Sequence, residues 1–86
     1  MKPIRLTEHA ELKTEILKNH GFKINEQFIK STIYDPDRVE STYKGRKVAQ
    51  KTLDESHVLR VIFEEHPEEI VVITLYPGRR ERYEKS

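Results

Sequence analysis

Cysteine is missing from this chain, and with it disulfide bridges, thiolate zinc centres and cysteine nucleophiles. Glycine is scarce: three residues in 86, none arranged as the glycine-rich loop that cradles a phosphate. No apolar run reaches the ~18 residues of a membrane-spanning helix, so no membrane partner is expected. The opening Met1-Lys2-Pro3-Ile4-Arg5 lacks the apolar stretch of a signal peptide. With no cysteine, that fits a cytoplasmic location. The four histidines, His9, His20, His57 and His66, show no zinc-ligand spacing, and neither an HExxH motif nor an aspartate-rich calcium loop occurs. No metal site and no cofactor are expected. A serine-centred nucleophile elbow is absent as well.

Charge is abundant but balanced. Asp, Glu, Lys and Arg make up 36% of the chain and sum to +1, so any case for an anionic partner rests on where the charges fall. Many Glu, Lys and Arg residues beside a single Met suit a heat-stable surface. Ile70-Val71-Val72-Ile73 argues against disorder.

The length predicts one domain over residues 1–86, with a charged tail over residues 79–86. Ile4–Leu6 can form a short strand. Thr7 reads as an N-cap with Glu8 in the first turn, opening a helix to about His20 with an apolar face of Leu12, Ile16 and Leu17. Gly21 stops it. Asn25 caps a second helix edged by Phe28, Ile29 and Ile33 and ended by Asp35-Pro36-Asp37.

From Val39 the period changes to two. Strands are predicted at 39–43, 46–53, 57–64 and 70–76, the first two joined by a Lys44-Gly45 turn. The expected fold is therefore α+β. Two N-terminal helices pack on one face of a four-stranded antiparallel meander, with room for a short extra N-terminal strand.

A meander places the Lys44-Gly45 turn and the Glu65–Glu69 loop at one end of the sheet. There Lys44, Arg46 and Lys47 face Glu64, Glu65, Glu68 and Glu69, which reads as mutual neutralisation. The opposite end collects Lys51, His57, Arg60, Tyr76, Arg79, Arg80, Arg82 and Tyr83, a cationic group with interleaved tyrosines. Such a group can clamp a phosphate and stack a base. Arg60 stands between Val58 and Ile62, and an unpartnered buried guanidinium is very costly. Either it pairs with Glu11, Glu15 or Asp54 beneath a helix, or it meets an external anion on an open face. Cleavage of RNA suits cations, tyrosine and histidine, because the 2′-hydroxyl of the substrate is itself the nucleophile.

The chain resembles the RelE/ParE-like toxin superfamily, and within it the BrnT-type toxins and their small uncharacterised relatives. The resemblance runs through Leu6-Thr7-Glu8-His9-Ala10, Asp35-Pro36-Asp37 and Gly45-Arg46-Lys47-Val48. It continues through the stretches from Val58 to Glu65 and from Ile70 to Pro77, and ends on Gly78-Arg79-Arg80-Glu81-Arg82-Tyr83. It implies catalytic positions at Lys51, Arg60, Arg79 and Tyr83, with His9 matching a histidine common in the uncharacterised relatives. Arg80, Tyr76, His57 and Arg82 would contact nucleic acid. The implied function is that of a metal-independent endoribonuclease from a toxin–antitoxin system. Its partners would be RNA, including ribosome-bound mRNA, and an antitoxin protein. Two alternatives stand beside it: a non-enzymatic module that binds nucleic acid or protein, and a gyrase-targeting toxin of the same fold.

Overall fold

The computed structural model describes residues 2–84. Lys85 and Ser86, the last residues of the expected tail, lie outside the described residues, as does Met1. The chain runs β1 (Ile4–Leu6), α1 (Glu8–Asn19), α2 (Glu26–Tyr34), β2 (Arg38–Ser41), β3 (Lys47–Thr52), β4 (His57–Glu65), β5 (Ile70–Arg79) and α3 (Arg80–Tyr83). A 3-10 turn at Tyr43–Gly45 joins β2 to β3. The fold is α+β. No described helix is long and apolar enough to cross a membrane.

Both long helices begin as their caps dictate. The Thr7 side chain accepts the amide of Ala10, and that of Asn25 accepts the amide of Phe28. At the tip of the β2–β3 connection Lys44 and Gly45 both take positive φ, 63° and 74°. That backbone follows the right-handed twist of the flanking strands, and β2 ends at Ser41 rather than at residue 43.

The sheet corrects the expectation of four antiparallel strands. It has five, in the order β1-β5-β4-β3-β2, and it is mixed. β2 to β5 run antiparallel in chain order, while β1 lies parallel to β5 with Ile4 opposite Ile70 and Leu6 opposite Val72. Within the charged tail, Arg79 ends β5 and Arg80–Tyr83 form a helical turn, α3.

α1 and α2 cover one face. Ala10, Leu17, Ile24 and Ile29 pack there on Ala49, Leu59, Val61, Phe63, Val72 and Leu75. The apolar face expected for α1 is wrong in two of its three residues. Leu12 and Ile16 are 61% and 43% exposed, while Ala10, Thr14 and Leu17 point inward. A small residue lets the helix approach the sheet, and the buried Thr14 hydroxyl donates to the Ala10 carbonyl at 2.8 Å.

The second face is closed at one end by α3. Val48, Gln50, Val58 and Arg60 are buried there. At the loop end Arg46 pairs with Glu64 at 3.0 Å and Lys47 with Glu65 at 3.2 Å. Of the charges expected to neutralise one another there, these two pairs meet, while Glu69 pairs instead with Arg5 at 3.1 Å.

Candidate functional site

Strand alternation decides where Arg60 goes. Leu59 and Val61 face α1 and α2, so Arg60 faces the other way. Register supplies its neighbours: Gln50 lies opposite on β3 and Tyr76 opposite on β5. The guanidinium donates through Nε to the Tyr76 hydroxyl at 2.9 Å, through one terminal nitrogen to Gln50 Oε1, and through the other to Glu40 Oε2 at 3.0 Å. The Tyr83 ring of α3 lies over it, 4.2 Å from the guanidinium carbon to the ring centroid. Arg60 is only 6% exposed, yet each of its three nitrogens has a partner. The carboxylate partners expected for it, Glu11, Glu15 and Asp54, are replaced by Glu40 from β2.

The cluster is tied down from outside. Arg38 pairs with Glu40 at 2.8 Å and also donates to the Tyr83 carbonyl at 3.1 Å. Gln50 Nε2 reaches the same carbonyl at 3.3 Å. The Arg80 amide donates to the Ser56 carbonyl at 2.9 Å, and the Arg80 side chain pairs with Glu84. Burial works against the Arg60 charge, but its bonds to Tyr76 and Glu40 outweigh that and raise its pKa. The hydrogen bond from Arg60, helped by the Arg60 and Arg38 charges, holds the Glu40 carboxyl below its ordinary value despite partial desolvation.

A depressed carboxylate pKa contributes stability above the ordinary value, which is lost as pH falls through the lower, folded value. Acid should therefore loosen α3. The near-ultraviolet signal of Tyr83 is expected to change as pH drops below the ordinary glutamate value of 4.5. A Glu40→Gln variant should lack that component. An unchanged acid transition in the variant counts against the Glu40 link.

Gly78 is there for space. A Cβ at this position would lie 2.4 and 2.6 Å from two carbons of the Tyr83 ring. Gly78→Ala should push the ring off Arg60 and cost about 1–2 kcal/mol, the scale of a desolvated cation–π contact and modest overpacking. Urea unfolding with near-ultraviolet circular dichroism checks this. An unchanged spectrum and midpoint would show that the ring does not rest on Gly78.

His9 joins this face from the other side of the sheet edge. The register of β5 against β4 shifts between Ile62 and Phe63, so that Ile62 faces Thr74 while Phe63 faces Val72. The start of α1 docks on that irregularity. The Thr7 amide donates to the Val72 carbonyl at 3.1 Å and its hydroxyl to the Ile73 carbonyl at 3.2 Å. His9 Nε2 then meets the Thr74 hydroxyl at 3.0 Å. Thr74 shares its face of β5 with Tyr76, roughly 6–7 Å further along the strand.

The other expected site residues are not brought together. Lys51 lies in register with Leu59, on the helix-covered face, where its Nζ donates to the Asp35 carbonyl at 2.7 Å and pairs with the Asp35 carboxylate at 3.3 Å. It cannot share a phosphate with Arg60, because adjacent strand positions point to opposite faces. Arg79 faces His57 across the ladder, with the parity of Leu75 and Pro77 rather than of Tyr76, and it too is apart from Arg60. His57 is bonded to Asp54 at 2.9 Å and meets the Phe22 ring edge-on at 5.0 Å. Arg82 is exposed on α3.

Glu40, Gln50, Arg38, Thr74 and Gly78 are the members that sequence reasoning missed. Each is an ordinary surface or strand residue until the register is known. Among the described residues no three His, Asp or Glu side chains are grouped as metal ligands. Compared with protein-family models, with curated proteins and with solved structures, the chain matches none.

Proposed function

We propose that this chain is a metal-independent endoribonuclease of the toxin type, restrained by an antitoxin protein, and that it works from the sheet face carrying Arg60. The observation that supports this best is the gathering of Tyr76, Arg60 and Tyr83 on one face, with His9 reaching Thr74 of the same strand as Tyr76. In this reading the Glu40 carboxylate is the resident anion on the guanidinium. An RNA phosphate takes its place and Glu40 turns to Arg38. Arg60 then stabilises the charge that builds up on phosphorus, and the Tyr83 ring stacks on a base or on the guanidinium. His9 accepts the 2′-hydroxyl proton as that oxygen bonds to phosphorus. The bond to the 5′-oxygen breaks, and the leaving oxygen takes its proton from a solvent water. Arg79, Arg80 and Arg82 guide the strand by charge. Lys51 has no part in the chemistry.

Incubation of the protein with RNA, free and on translating ribosomes, tests the reading. Cleavage should persist in chelator and yield 2′,3′-cyclic phosphate ends, and His9→Ala should slow it by roughly 10²-fold. Absence of cleavage on both substrates would sink it.

The protein partners already held by all three Arg60 nitrogens favour a second reading. There the cluster only fastens α3, and the basic tail binds nucleic acid or protein without chemistry. Binding of RNA without cleavage, unaffected by His9→Ala, would select it.

A further inference from the structure

α1 carries a stripe that its own domain leaves uncovered. Leu12 and Ile16 stand one helical turn apart on the side away from the sheet, 61% and 43% exposed. At 3.6 residues per turn the stripe has distinct flanks. Glu8 and Glu15 lie along one side, and Lys13 and His20 along the other. None of the four forms an ion pair with another described residue, although eleven such pairs occur elsewhere in the domain.

The geometry points to a second copy of this chain as the occupant, with the two α1 helices packed side by side and parallel about a two-fold axis. In heptad terms Leu12 and Ile16 take successive seam positions, Glu8 and Glu15 take the flanking position before each turn, and Lys13 and His20 the one after. A parallel pair sets a flanking residue against the opposite flank of its neighbour, five residues on. Glu8 then faces Lys13 of the partner subunit, and Glu15 approaches His20 of the partner subunit at the C-cap just past α1. An antiparallel pair about a two-fold would oppose acid to acid and base to base. The charge pattern thus selects both the self-pairing and its direction. The seam is short, since α1 has 12 residues. The dimer is therefore reversible, well below the ~1,200–2,000 Å² of a standard stable interface. The seam extends to His9, three residues before Leu12, so the dimer adjoins the proposed RNA-cleaving site.

Sedimentation equilibrium over a wide concentration range tests the association. Wild type should show a concentration-dependent dimer, and Leu12→Glu should weaken it at least about tenfold. That residue is exposed, so thermal unfolding should confirm an intact fold. Glu8→Lys and Lys13→Glu should each weaken association, and the double variant should restore it. Because the chain has no cysteine, Leu12→Cys offers a unique thiol. A parallel in-register seam brings the two introduced thiols within disulfide reach, roughly 4.4–6.8 Å between Cα atoms. Oxidation should then give a covalent dimer in high yield. A monomer up to about 1 mM, which is weaker than about 4 kcal/mol of association, overturns the proposal. So does a dimer indifferent to Leu12→Glu, or one whose charge-swap double variant fails to recover.

Discussion

Arg60→Ala is expected to lower RNA cleavage by roughly 10²-fold or more, the scale seen when one donor to a developing anion is lost. The same change removes the partner of Glu40, Gln50 and Tyr76. A loss of activity could then be a loss of fold. Removing one member of a buried pair strands the other, whereas replacing both by apolar residues of similar size is often neutral or stabilising. Arg60→Met with Glu40→Leu should therefore unfold later than Arg60→Met alone, though earlier than the parent, because the buried Gln50 Oε1 loses its donor. The double variant should not cleave RNA. Arg60→Lys keeps a charge but not the planar fork that reaches three acceptors at once, and it should fail as well. Arg46→Ala, at the far end of the sheet, should leave cleavage unchanged. A folded double variant that still cleaves RNA would falsify the role given to Arg60.

Leu59→Ala is expected to be the most damaging single change to stability. Leu59 adjoins Arg60 but is fully buried on the opposite face, in the core beneath α1 and α2. Truncation of a buried leucine to alanine costs about 2–5 kcal/mol, from lost burial and the cavity left behind. A domain of this length has roughly 4–13 kcal/mol of stability in all. The thermal midpoint should fall by roughly 10–25 °C. Leu12→Ala, on the exposed side of α1, should move it by less than about 3 °C. Calorimetry on the two variants separates core from surface. Equal shifts would contradict the inward face assigned to α1.

Some of this was legible in the residues and some was not. The change of period at Val39 and the stop at Asp35-Pro36 mark the passage from helices to strands, because both signals are local. The meander of β2 to β5 was legible because its connections are too short for crossovers. The pairing of β1 with β5 was not, since three residues carry no period and their partners lie more than sixty positions away. α1 was turned the wrong way because Leu12 and Ile16 are more apolar than Ala10 and Thr14, while close approach to the sheet favours the smaller pair. The cationic end of the sheet was placed correctly along the strands, but not across them. Lys51 and Arg60 share that end and point to opposite faces. Parity depends on register, and register is fixed by turn geometry that composition does not reveal. α3 spans four residues, and what holds it is the cluster around Arg60 rather than any helical pattern of its own.

The parallel seating of β1 on β5 also fixes the order in which the domain can come into being. Ile4 leaves the ribosome 66 residues before its partner Ile70. At roughly 5–20 residues per second that is a wait of about 3–13 s. Over that interval α1 and β1 have nothing to lie on, because β4 and β5, which form the floor of the core, are among the last elements made. Folding therefore cannot proceed stepwise behind the moving ribosome. It completes in one late closure, when β5 emerges between β4 and the waiting N-terminal strand.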